Sequence, residues 1–152
     1  MTSNLTSKSR SILAAVLLFG LLHHADHALR VDHSGWPFLP QVTPYTFSLL
    51  IYPALALVMW ADVPLRLKAA MVGLIAIGVI YAHIVIETPR MQYVMWAFNR
   101  SLEPQFAGVS NALCISSPTL GVFAVVIAMG VNILLPVLAL SLWRDGRHVN
   151  AT

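Results

Sequence analysis

Charge is what this chain has least of. Only 10% of its 152 residues are Asp, Glu, Lys or Arg, against roughly 25% in soluble globular domains. With 58% hydrophobic residues and a mean hydropathy of +0.76, that shortage argues against a water-soluble fold and for a membrane protein. Cysteine is nearly missing as well. A single residue, Cys114, permits no internal disulfide and no multi-thiolate metal site within one chain. Its expected role is that of a small apolar packing residue near the start of the last helix. A basic run or stripe is also lacking. The nine Lys and Arg residues are scattered at the ends of apolar segments, so the net charge of +3 does not point to nucleic acid. There is no internal repeat, no low-complexity tract and no long polar stretch from which a soluble domain could be built.

What the chain does have is four apolar segments, at residues 11–29, 44–61, 67–86 and 118–143. Each approaches the ~20 residues a helix needs to cross a hydrocarbon core of ~30 Å. The expectation is an all-α integral membrane four-helix bundle, with residues 1–152 forming one transmembrane domain in a lipid bilayer. Residues 30–37 carry charge, glycine and proline and should form a loop, with Trp36 in the interfacial belt. Thr43 suits an N-cap and Pro44 a first turn. The second segment holds Tyr45, Thr46, Ser48 and Tyr52 in its outer half, and Pro53 is expected to kink its middle. Trp60 marks its inner end. In the third segment Gly73 and Gly78 are expected to allow close helix contact. Met91, Val94, Met95 and Phe98 recur at i, i+3, i+4 and i+7, a helical stripe too short to span. With Tyr93 and Trp96 beside it, residues 91–99 suit an interfacial helix lying on the outer surface. Residues 101–117 look like a less ordered external connection, and the last segment contains Asn132 and Pro136.

Orientation follows from the basic residues. With a cytoplasmic N-terminus, Lys8, Arg10, Arg66, Lys68, Arg144 and Arg147 lie inside and Arg30, Arg90 and Arg100 outside, which obeys the positive-inside rule. A multi-pass protein of the cell (inner) membrane with both termini cytoplasmic is the result. The first segment also has the basic start and apolar run of a signal peptide at 12–22, but no convincing small-x-small cleavage site follows.

Ionisable groups close to lipid are expensive and are usually functional or paired. They gather here at the outer ends of two segments: His23, His24, Asp26 and His27 on the first, His83 with Glu87 on the third. Two pairs among them matter most. His23 and His27 are i,i+4 on one helical face, and so are His83 and Glu87. On packed helices these two pairs can converge on one ion, as metal sites in helical bundles do. Imidazole and carboxylate suit iron, copper or zinc. His24 and Asp26 point round the helix and are candidates for holding a ligand from behind, and Arg30 can neutralise Asp26. Asn132 is the one strongly polar side chain in mid-membrane of the last helix, and an interhelical hydrogen bond is its expected role. His33 and His148, in loop and tail, are expected to be ordinary hydrated side chains.

The run His23-His24-Ala25-Asp26-His27 resembles one histidine box of the membrane desaturases and hydroxylases, families that bind two irons through several such boxes. The resemblance covers five residues, and the other boxes are missing. It therefore implies no activity. Haem b held between His23 or His27 and His83 would use the same residues differently. A protein of another class is open too: a non-catalytic subunit or assembly partner of a larger membrane complex, its histidines forming a structural polar network without any cofactor. Small size and the lack of a complete catalytic motif favour that class. Proton or ion translocation ranks last, since only Asn132 is strongly polar below the outer cluster.

Overall fold

A computed structural model describes residues 5–31 and 47–148, and all regular structure among them is helical. Helix α1 (Ser7–Arg30) starts at Thr6, whose side chain accepts from the Ser9 N–H. The short α2 (Ile51–Trp60) leads to α3 (Leu65–Tyr81), which runs straight into a π-helical turn (Ala82–Ile86). After Thr88 comes α4 (Pro89–Phe98), then a 3₁₀ turn (Pro104–Phe106), then the long α5 (Pro118–His148).

The last helix organises the rest, packing against α1, α3 and α4. Its buried residues Ala124, Ala128, Val131, Leu135, Leu138 and Leu142 are spaced alternately by four and three. That is the seam of a helix wrapped by neighbours on one side. The outward faces are as apolar as the core: Leu21, Leu74, Ile77, Ile133 and Leu140 are all exposed. Three helices (α1, residues 65–86, and α5) are long and apolar enough to cross a bilayer. Helices of that length with oily outer faces mark a membrane protein.

Of the expected second span, residues 44–46 lie outside the described residues; the described part holds a turn at 49–50 followed by the ten-residue α2, about 15 Å long. Pro53 therefore sits in the first turn of α2, where a missing N–H does no harm, and kinks no mid-helix. Thr6, just before α1, bonds Asp145, and Arg66 at the start of α3 stacks on Trp143, so both helices begin beside the end of α5. The helices α1 and α3 are therefore parallel neighbours. Lys68 donates to the Met59 carbonyl at 2.7 Å. Trp36, Thr43, Pro44, Tyr45, Thr46 and His33 fall outside the described residues, as does the side chain of His148.

Helix α4 buries one face, Gln92, Val94, Met95, Trp96 and Ala97, against the bundle, and Arg90 and Phe98 are exposed. Three other expectations, all outside α4, are corrected. The connection after it is ordered: Asn111 is buried and gathers backbone groups of Met95, Leu113 and Ile115 around its amide. Cys114 is exposed, with a left-handed φ of 52°, and so packs into no core. Gly73 and Gly78 do not mediate helix contact, since a Cβ at either meets nothing within 4 Å. The close approaches come from α5 instead, where a Cβ on Gly130 would strike the Phe19 ring.

Candidate metal centre

Parallel packing brings the ends of α1 and α3 to the same level, and the two i,i+4 pairs meet there. Nε2 of His23 and Nε2 of His27 are 2.9 Å apart, and His27 Nε2 is 2.8 Å from Glu87 Oε2. The His23 and His83 rings meet edge to face with centroids 4.5 Å apart. His23, His27, His83 and Glu87 can each offer one ligand atom such that all four atoms lie within 4.8 Å of one another. All four residues are buried.

The π turn supplies half of this arrangement. Pro89 disfavours a helical conformation at Thr88, so the helix must open before it. It does so by widening: the Glu87 N–H bonds the Ala82 carbonyl at 2.7 Å, one residue further back than in an α-helix. His83 lies inside the widened turn and Glu87 at its end, with an extended φ of −121°. Such turns recur at functional sites.

Around the four stands a further layer. His83 Nδ1 is 2.9 Å from Asn132 Oδ1 on α5. An amide oxygen only accepts, so Nδ1 is the donor of this bond, and in the neutral ring that leaves the Nε2 lone pair to the cluster. Arg30, fully buried, contacts Glu87 Oε1 through one nitrogen and donates from Nε to Asp26 Oδ2 at 2.6 Å. Asp26 in turn accepts from the indole N–H of Trp96 at 2.6 Å. His24 turns the other way. Its Nδ1 is 2.9 Å from both the Gly20 carbonyl and the Tyr52 hydroxyl, and its Nε2 is 3.0 Å from Ser48 Oγ.

Two of these positions escape sequence reasoning. Trp96 reads as an interfacial residue in the sequence, yet it is buried and holds Asp26. A buried indole needs an acceptor, and that need is the available signal. Asn132 bonds across helices as its sequence position implies, but its partner is a histidine of the cluster. The chain matches no protein-family model, no curated protein and no solved structure. Its chemistry rests on these side chains alone.

Proposed function

We propose that this membrane protein binds one transition-metal ion through His23, His27, His83 and Glu87, at the end of the bundle that the positive-inside rule puts outside the cytoplasm. Three imidazoles and a carboxylate suit zinc, iron or copper(II). The observation that carries the reading is the convergence of four possible ligand atoms, all within 4.8 Å of one another and all on buried residues. Beside it, His23 Nδ1 is buried with no hydrogen-bond partner among the described residues. A polar network kept only for packing normally satisfies its members, because an orphaned buried group costs about 1–3 kcal/mol.

A haem fits less well. Axial nitrogens on opposite faces of an iron porphyrin stand about 4 Å apart, twice a metal–nitrogen bond, with the flat ring between them. Ring centroids only 4.5 Å apart for His23 and His83 argue against a macrocycle between that pair.

Metal analysis of protein purified without chelators tests the proposal. About one equivalent of zinc, iron or copper per chain, lost in His83→Ala, is the expected result. A Soret band would replace the ion by haem. A folded protein that takes up neither would favour the subunit or assembly-partner reading.

A further inference from the structure

Beside the cluster lies a cavity of about 1070 Å³, at the upper end of the range for small-molecule sites. It follows α1 from Val16 to His27, about 17 Å of helix. Its walls are almost wholly apolar for most of that length, and the polar groups are concentrated at one end. There His23, His27, His83 and Glu87 face it, with His24, Ser48 and Tyr52 close by. The rim includes Leu17, Phe47, Leu50 and Ile86, large apolar side chains that are themselves exposed. Leu17 belongs to a membrane-crossing helix, so the apolar part of the rim faces hydrocarbon, whereas Glu103 and the exposed Gln105 also line the cavity. A water-soluble substrate would gain nothing from such walls and would have to leave its hydration behind.

Resting on the metal site proposed above, we infer that the cavity takes a membrane-dissolved lipophile with one long hydrocarbon chain, whose oxygen-bearing head group meets the metal. The dimensions, the apolar walls and the position of the polar end agree with one such molecule. The chain lies along α1 and α3, and the head reaches the cluster of carboxylate and imidazoles at the polar end of the wall. Burying the chain favours binding when it leaves water. A ligand arriving from the bilayer gains less from that source, so the contact between head and metal must supply the selectivity.

Gly78 makes the inference testable. It lines the cavity, and a Cβ placed on it meets nothing within 4 Å. A leucine there should occupy ligand space without disturbing the helix packing. Gly73, on the same helix and equally open, does not line the cavity and serves as the control. The experiment uses the full chain in lipid nanodiscs loaded with cobalt(II), whose visible bands report coordination, and radiolabelled palmitohydroxamate as probe. Saturable binding of one probe per chain with a shift of the cobalt bands is expected. Gly78→Leu should weaken it at least tenfold and leave cobalt uptake unchanged, while Gly73→Leu binds as the parent does. Because both variants sit in the same bilayer, simple partitioning of the probe cancels. Unchanged binding by Gly78→Leu, non-saturable uptake, or bound probe that leaves the cobalt bands unmoved would each overturn the inference while the metal site stands. Failure of the metal site itself shows earlier, as missing cobalt bands before any probe is added, and removes both.

Discussion

Arg30 at the end of α1 contacts Glu87 at the end of α3 and, through its Nε, Asp26 one turn back on its own helix. One fully buried guanidinium thus ties the two halves of the cluster together. Removing it strands two carboxyl groups in a buried site, the kind of broken pair that costs about 3–5 kcal/mol. Arg30→Met should therefore lower the thermal midpoint markedly. Arg30→Lys should recover only part of the loss, since an ammonium cannot reproduce the planar fork. Trp96→Phe removes one hydrogen bond to a carboxylate, worth about 1.5–3 kcal/mol, and should destabilise less than Arg30→Met. Thermal unfolding in a fixed detergent ranks the three. A Trp96→Phe protein less stable than Arg30→Met would contradict this order.

Metal binding should separate the histidines. His23→Ala, His27→Ala and His83→Ala should each lose the ion, whereas His24→Ala should keep it, because His24 is turned to Gly20, Ser48 and Tyr52. Metal content by mass spectrometry decides this. Loss of metal in His24→Ala alone would break the assignment.

Acid should act on the same site. A metal ion and a proton compete for one lone pair on each imidazole, so uptake of the ion releases protons and affinity rises with pH. Titrations at falling pH should show progressive weakening through the range in which imidazoles take up protons. Affinity that is flat across that range would mean the histidines are not ligands.

Much of this is legible in the sequence, for a definite reason. Hydropathy sets depth and helical spacing sets faces, so these two patterns alone put His23/His27 and His83/Glu87 at one level and on two faces. What escapes depends on partners far away along the chain. The packing of α4 is decided by α5, and the order of the 101–117 connection by Asn111 reaching back to Met95. Neither leaves a local pattern. Glycine spacing misleads for the same reason: Gly73 and Gly78 look like contact sites, but closeness is set by the facing helix. The π turn is equally silent, since no residue type demands one.

Glycine substitutions should reflect that geometry. Gly130→Ala would drive a Cβ into the Phe19 ring and force it to move, an overpacking cost of about 1–3 kcal/mol. Gly73→Ala meets open space and should be neutral or stabilising by up to about 1 kcal/mol, from helix propensity. Equal midpoints for the two variants would show that α1 and α5 are not in the contact described.

Topology can be read from outside the cell. In a Cys114→Ser background, Asn4→Cys should be shielded from an impermeant thiol reagent and Gln105→Cys should react. Labelling of both from one side would discard the proposed orientation.

A π turn is an α turn with one residue too many, and that surplus bears on how such a site could arise. Deleting a single residue within 84–86 would let the segment relax into an ordinary α-helix, still long and apolar enough to cross a bilayer. His83 and Glu87 would then stand at i,i+3 and not i,i+4, without the widened turn that presents them together. The membrane scaffold and the ligand set are thus separable by one codon. A chain of this build can gain or lose its centre without having to change its fold.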